Sequence, residues 1–369
     1  RSSWVTGVQT CALPISITDH GVMFGVVDFW KECKAQDINP ILGCEIYMAR
    51  RGRLDKDPVM DRPRNHLVLL AENNVGYSNL MKIVSTGFTE GFYFKPRVDK
   101  EVLRKYREGI ICLSACLAGE VQERCLENNY EAALEAALEY KDIFGEENFF
   151  IELENHGMPE QLQIIPMLKK ISRETGIPMV ATNDAHYINK EDAKAHDVLL
   201  CIQTKKTMQD ADRMKFPNDE FYVKSPEEMK QVFFDVPEAI ENTEKISKRC
   251  KVDLEFGKLH LPDFKAPEGK ENKAYLRELC FEGLKERYGE NKADLEERLN
   301  YELKIIEEMG YVEYFLIVWD FINFAKSRNI MVGPGRGSAA GSVVAYTLKI
   351  TDIASWRSEE RRVGKECRS

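Results

Sequence analysis

From residue 17 to about residue 183, short apolar runs alternate with segments of helical period, and this alternation constrains the fold more than any other feature. Residues 38–48 contain one such run and 66–71 another, and 109–114, 148–153 and 178–182 continue the series. Between them, 130–143 and 160–174 place apolar residues at the spacing of one helix face. An apolar run without alternation is buried on both faces, so strands of this kind separated by helices predict a parallel sheet covered by helices, open or closed into a barrel. A barrel collects its functional residues at the C-terminal ends of its strands.

Past Asp184 the pattern changes. Ser225-Pro-Glu-Glu228 reads as a helix start, with Ser as N-cap, Pro at the first position and Glu at the third. The run to Cys250 reads as helical and charged. Residues 257–272 are polar with two prolines, which suits a linker, and 274–288, 295–309 and 314–327 read as helices, the last strongly apolar. A chain of 369 residues, 43% hydrophobic and 31% charged, suits two globular domains. No apolar run reaches bilayer-spanning length, and ten scattered cysteines read as reduced thiols in a cytoplasm. A net charge of −9 argues against coating nucleic acid through the overall field but leaves a local site open.

The two ends, 1–16 and 357–369, carry no period tied to their neighbours and resemble translated sequencing-adapter DNA. The genuine protein is expected to run from Ile17 to about Ala354, with 1–16 a non-native leader and 355–369 a non-native tail.

A set of metal-type residues falls at the predicted strand ends. His20 lies in Thr18-Asp-His-Gly21, Glu45 ends Gly43-Cys-Glu45, His66 opens an apolar strand, and Cys116 follows another in Leu113-Ser-Ala-Cys116. Asp184 and His186 lie two apart in Asn183-Asp-Ala-His-Tyr187, a spacing that puts both side chains on one side of an extended segment. Imidazole, thiolate and carboxylate together suit zinc, manganese or iron better than magnesium. Each has a plainer reading too: His66 as a satisfied core histidine, Cys116 as a small buried hydrophobe. His156 is a weaker candidate, and His196 and His260 have no convergent partners in the sequence.

The other candidate is one continuous string, Val332-Gly-Pro-Gly-Arg-Gly-Ser-Ala-Ala-Gly-Ser-Val-Val-Ala-Tyr346. Four glycines and a proline make a tight loop before a helix-like run, and such a loop brings backbone N–H groups and a helix N-terminus toward one point where a phosphate is stabilised. No Gly-Lys-Ser/Thr closes it, so it is not the common P-loop; Arg336 supplies a planar charged fork instead. A purely structural turn is the competing reading. Phe315, Ile317, Val318, Trp319, Phe321 and Phe324 read as core packed behind the loop, and Lys326 and Arg328 as a solvated helix end or phosphate contacts.

The metal-type set resembles the polymerase and histidinol phosphatase (PHP) domain of bacterial replicative polymerases, and Gly91-Phe-Tyr-Phe-Lys-Pro-Arg97 and Glu220-Phe-Tyr-Val-Lys224 also fit that family. The glycine-rich string, with Thr347-Leu-Lys-Ile-Thr-Asp-Ile353, resembles the start of the palm in the DNA polymerase III alpha-subunit family. The resemblance implies an α/β fold class: a PHP-type distorted (β/α) barrel over 17–255, a linker at 256–272, and the mostly helical start of a nucleotidyltransferase-like palm at 273–354. It implies that His20, Glu45, His66, Cys116, Asp184 and His186 are metal ligands for zinc or manganese, and that Gly335, Arg336, Gly337 and Ser338 lie beside an incoming nucleotide's triphosphate.

The implied function is DNA-directed DNA polymerisation in DNA replication, with magnesium, primer–template DNA, deoxynucleoside triphosphates and other replication subunits such as the sliding clamp as cofactor, substrates and partners, in the cytoplasm and away from membranes. The PHP domain would be a metal-dependent 3′–5′ exonuclease or a structural support. The chain departs from the family at both ends. The His-x-His motif and an acidic ligand expected upstream of Thr18 are missing, and so are the catalytic palm aspartates expected downstream. The fragment is therefore expected to bind metal weakly, to lack phosphoesterase activity and not to polymerise. A free-standing PHP phosphoesterase and a non-catalytic replication scaffold are the alternatives.

Overall fold

A computed structural model describes residues 15–258, 262–289, 293–335 and 337–353. Most of the leader, the whole tail, His260 and Arg336 therefore lie outside the described residues. The chain divides into two units at Leu254 and Glu255.

In unit 1 the apolar runs become strands: β1 (Ser16–Ile17), β2 (Ile41–Ala49), β3 (Arg64–Ala71), β4 (Phe92–Tyr93), β5 (Lys95–Val98), β6 (Ile110–Leu113), β7 (Phe149–Leu153) and β8 (Met179–Ala181). The intervening helices are α1 (Val26–Ala35), α2 (Asn74–Thr89), α3 (Lys100–Tyr106), α4 (Glu120–Leu126), α5 (Tyr130–Phe144) and α6 (Pro159–Thr175), and α7 (Ala193–Thr204), α8 (Pro226–Val232) and α9 (Pro237–Arg249) follow β8. The strands form one curled half-barrel sheet in the order β4-β5-β2-β3-β6-β7-β8, with β1 paired alongside β2. Its direction corrects the expectation of a parallel sheet. β3 runs antiparallel to both β2 and β6, whereas β1–β2, β2–β5, β6–β7 and β7–β8 are parallel. A continuous apolar run reports burial on both faces, not strand direction, and the chain returns from β2 to β3 through a loop without a crossover helix.

Both faces are indeed covered. Leu42, Cys44, Ile46, Leu67, Leu69 and Cys112 face the larger core under the helices. The alternate residues Ile41, Val68, Leu70, Ile111, Leu113, Phe150 and Val180 close a smaller core on the opposite face. That second face continues, residue by alternate residue, into Glu45, His66 and Glu152.

The helix signals are local. Ser225 and Glu228 form the reciprocal capping box that starts α8. The run to Cys250 is helical in two pieces, because Pro237 begins α9 as a separate element.

Unit 2 is helical: α10 (Asn272–Tyr288), α11 (Ala293–Glu308), α12 (Val312–Ser327) and α13 (Val343–Thr347). Leu276, Cys280, Leu299, Leu303, Leu316 and Val344 make its core. Gly283 lets α10 approach α13, since a Cβ there would lie 2.0 Å from the Thr347 carbonyl oxygen. The aromatic expectation holds in part. Phe315 and Trp319 pack against the core, but Phe321 and Phe324 are exposed. An all-apolar helix packs only the stripe facing its neighbours.

Candidate metal centre and glycine-rich turn

The centre is built on the pairing of β2 with β3. Tyr47 opposes His66 and Glu45 opposes Val68, so Glu45 and His66 are diagonal neighbours on one face. His20 reaches them because the segment after β1 continues alongside β2, where Gly21 donates its N–H to the Glu45 carbonyl at 2.8 Å. Gly21 has φ +71°, and a Cβ there would come within 2.9 Å of the Tyr47 ring, so the close approach needs glycine. The Nδ1 atoms of His20 and His66 each lie 2.7 Å from the same Glu45 oxygen, Oε1. One ligand atom from each of the three residues falls within 4.8 Å of the others, the single such group able to hold a metal ion among the described residues. Burial alone would raise the Glu45 carboxyl, but hydrogen bonds from the two imidazoles outweigh it and bring its pKa down to about 2. The same bond to Glu45 raises His20 against its own desolvation.

The remaining candidates stand around this trio. Cys116 Sγ lies 3.5 Å from His66 Nδ1, and its thiol is pushed well up by burial, reinforced by Glu154, Glu45 and Asp184. Asp184 and His186 meet each other at 3.3 Å, and the His186 ring stands 6.1 Å from that of His20. They do not meet by extended alternation as expected. Asp184 adopts a left-handed φ of 41°, and the residues around it lie beyond β8 in coil, so the backbone turn sets the pairing. His20, Cys116, Asp184 and His186 lie beyond the C-terminal ends of β1, β6 and β8, whereas Glu45 sits in the middle of β2. His66 lies near the start of β3, which is antiparallel, so its N-terminal end lies where its neighbours end.

In unit 2 the glycine-rich string forms an exposed turn followed by a 3₁₀ segment, Gly337–Gly341, and then α13. Gly335 has φ +119° and packs on Thr351, and the Asp352 N–H donates to the Pro334 carbonyl at 2.8 Å. Gly337 and Ser338 are exposed; Arg336 lies outside the described residues. The helix N-terminus, expected to face a phosphate, is occupied from within. Ser342 caps α13 by accepting from the Ala345 N–H at 3.1 Å, and Glu302 Oε2 accepts from the Val344 N–H at 3.1 Å and the Ser342 hydroxyl at 2.8 Å. A carboxylate of the chain thus holds the place of an external anion. Lys326 is also engaged, 2.8 Å from Asp352.

Residues 12–156 match the model of the PHP domain, and residues 274–360 match that of the bacterial DNA polymerase III alpha NTPase domain. The chain joins a PHP domain to a DNA polymerase III alpha NTPase domain. It is 46% identical over 341 residues to the DNA polymerase III subunit alpha of Treponema pallidum, a match covering 92% of this chain and 29% of that protein. The subunit of Borreliella burgdorferi is also 46% identical, over 92% of this chain and 30% of its own length. That of Thermus aquaticus is 41% identical, over 95% of this chain and 34% of its own. The chain therefore spans about a third of the length of these relatives.

Within unit 1, which carries the PHP match, two carboxylates escaped the sequence reading. Glu152 and Glu154 leave β7 on the face of the centre. Burial raises Glu152 to about 7 and Glu154 well above the ordinary range, with Asp184 and Glu45 adding to both shifts. Glu152 Oε1 accepts from Thr182 at 2.6 Å, while Oε2 is buried with no hydrogen-bond partner. The available signal was an acidic residue at alternate positions of an otherwise apolar strand, Phe149-Phe-Ile-Glu-Leu-Glu154. His156 is a satisfied core histidine: Nε2 donates to the Asn183 carbonyl at 2.6 Å and Nδ1 accepts from Gln161 at 3.0 Å. His196 does find company, its ring 5.7 Å from that of His186.

Proposed function

We propose that the chain is part of a replicative DNA-directed DNA polymerase in which unit 1 carries a metal-dependent phosphodiester-cleaving centre of 3′–5′ exonuclease type. The observation that carries the second part is the convergence of His20, Glu45 and His66 from separate segments onto one point. The donor set fits the group. Imidazole nitrogens, a carboxylate held ionised and a half-buried thiol at Cys116 suit zinc or manganese, with Asp184 and His186 completing the set from the facing loop.

A divalent cation there supplies Lewis-acid polarisation of a phosphoryl oxygen and activation of water. The chain's own contribution is positional. Glu45 stays a carboxylate because both imidazoles point at Oε1, and Gly21 and Tyr47 fix the segment bearing His20. Burial keeps a proton on Glu152 up to about pH 7, which prevents a crowd of carboxylates from all ionising together.

Unit 2 takes the nucleotide in this reading. Gly335, Arg336, Gly337 and Ser338 would lie beside the triphosphate, with magnesium for nucleotidyl transfer, primer–template DNA as substrate, and replication subunits such as the sliding clamp as partners in the cytoplasm. The relatives' names and the match over the glycine-rich turn support it. Among the described residues, no helix is long and apolar enough to cross a membrane.

Two measurements test the proposal. Calorimetric titration of the metal-free chain with manganese or zinc should give saturable uptake that Glu45→Gln and His66→Ala both weaken; uptake unchanged in these variants defeats the centre. Primer extension with magnesium should yield no product, since the chain spans about a third of the length of the polymerase subunits it matches. Robust extension by this chain overturns that part.

A further inference from the structure

The segment Gly91-Phe-Tyr-Phe-Lys-Pro-Arg97 has no part in the metal centre or in the turn, yet it is built with unusual rigidity. Strands β4 and β5 form a tight hairpin, Tyr93 opposite Lys95, with Phe94 at its tip at φ 60°, a strained value for a residue with a side chain. Arg97 fixes the hairpin from below. Fully buried, its guanidinium donates to the carbonyls of Gly91, Asp61, Arg53 and Asp55 at 3.3, 2.8, 3.2 and 2.8 Å. It thereby ties the hairpin to the loop between β2 and β3. Burying a permanently charged group is costly unless it is hydrogen-bonded, and these four bonds hold two surface segments in one fixed relation.

What it holds is a cationic and aromatic face at the edge of the centre. Phe94 is 60% exposed, with the Arg62 guanidinium 5.4 Å from its ring. Arg64 and Lys95 lie 5.2 and 5.5 Å from the ring of Tyr47, and that ring lies 5.3 Å from His66. Of the acidic groups of this region, Asp61 pairs with Arg51, Glu90, Asp99 and Glu101 share Arg53, and Asp55 and Asp57 accept from backbone N–H groups. Among the described residues Arg62, Arg64 and Lys95 form no ion pair, and Arg64 Nε is buried without a hydrogen-bond partner. On a chain of net charge −9, this is a local cluster of three cations without ion-pair partners. The carboxylates facing it from the centre, Glu45 and Asp184, are those a bound cation would neutralise.

We propose that Arg62, Arg64 and Lys95, together with Phe94, form a rim that receives an unpaired polynucleotide strand and leads it to the metal centre. The cations would grip phosphates, and the exposed ring would stack on a base. A duplex keeps its bases stacked internally and offers Phe94 no face, so the rim selects single strands. The purpose assigned to the rim rests on the phosphodiester-cleaving reading above; its binding does not.

The test is therefore made with manganese present and phosphorothioate-linked strands, which resist cleavage. Fluorescence anisotropy with labelled oligothymidylate should show binding that Arg62→Ala, Arg64→Ala and Lys95→Ala together weaken about tenfold or more, with the slope of log affinity on log salt reduced by about 2. Phe94→Trp places a reporter at the tip. Its added emission should be quenched by single-stranded DNA, and unlabelled single strand should compete better than duplex. Three results each overturn the rim: no strand binding by the wild-type chain, equal competition by duplex, or an unquenched tryptophan with affinity unchanged in the folded triple variant. Metal uptake without strand binding removes the rim alone, whereas strand binding without metal uptake removes the centre and leaves the rim.

Discussion

The centre in unit 1 and the glycine-rich turn in unit 2 are both candidate sites for phosphate chemistry, and they are made in opposite ways. The centre draws His20, Glu45, His66, Cys116, Asp184 and His186 from along the unit, and none of these has the others as sequence neighbours except the last pair. The turn is a single string. The centre leaves its polar groups under-compensated: two imidazoles share one oxygen, and Glu152 Oε2 and the Gln122 amide oxygen are both buried without partners. The turn's following helix has its first amides already bound by Ser342 and Glu302. A site that waits for a ligand shows unsatisfied or strained electrostatics. The centre has that signature, and the N-terminus of α13 does not.

The largest effect should come from the oxygen both imidazoles share. Glu45→Ala removes it and leaves His20 and His66 without their common acceptor. Metal uptake in the micromolar range should be abolished, a loss of at least about 100-fold by calorimetry, larger than the tenfold to 100-fold typical of residues one shell further out. Retention of tight uptake would place the ion elsewhere and dissolve the contrast between the two regions.

Next in size is the pH response of Glu152. Its pKa in the folded chain is about 7 against an ordinary 4.5. Between those values the native state holds a proton that the unfolded chain has released, so this residue's stabilising contribution is complete below about 4.5 and is lost as the pH rises through 7. Glu152→Gln removes the titration. In chelator the variant should resemble the wild type near pH 5 and exceed it at pH 8, by on the order of 2–3 kcal/mol. Thermal melts at the two pH values check this. A variant equally stable or less stable at pH 8 shows that the pocket already supplies Glu152 with a counter-charge.

Much of the fold was legible in the sequence because burial writes itself into composition. Each of the five apolar runs became a strand, and the helical periods over 130–143 and 160–174 became α5 and α6. The short strands β4 and β5 were not legible, since Phe92-Tyr-Phe-Lys-Pro96 has neither length nor alternation and is held by Arg97 from beneath. Strand direction was hidden for a similar reason: β3 is as apolar as its parallel neighbours, so only the loop joining it to β2 reverses it. Asp184 and His186 were singled out for extended alternation, yet they meet through a left-handed turn. Glu152 and Glu154 were overlooked because an acidic residue next to apolar ones reads as a strand end. Their position opposite Glu45 and Asp184 exists only once the sheet has curled. The occupation of α13 by Glu302 was invisible, the two being about forty residues apart in different helices.

The smallest expected effect tests that last contact. Glu302 Oε2 takes the Val344 N–H and the Ser342 hydroxyl, so Glu302→Ala should loosen the start of α13 and cost unit 2 about 1 kcal/mol, the usual scale for a lost cap or a single hydrogen bond. Binding should move the other way. With the carboxylate gone, the amide and the positive end of the helix are free to meet an external anion, and a deoxynucleoside triphosphate should bind this variant a few-fold more tightly than the wild type at low salt. If Glu302 instead orients the turn for the nucleotide, the same substitution weakens binding while destabilising the unit. The sign of the affinity change, read against a melt, therefore decides between a carboxylate that blocks the turn and one that holds it ready.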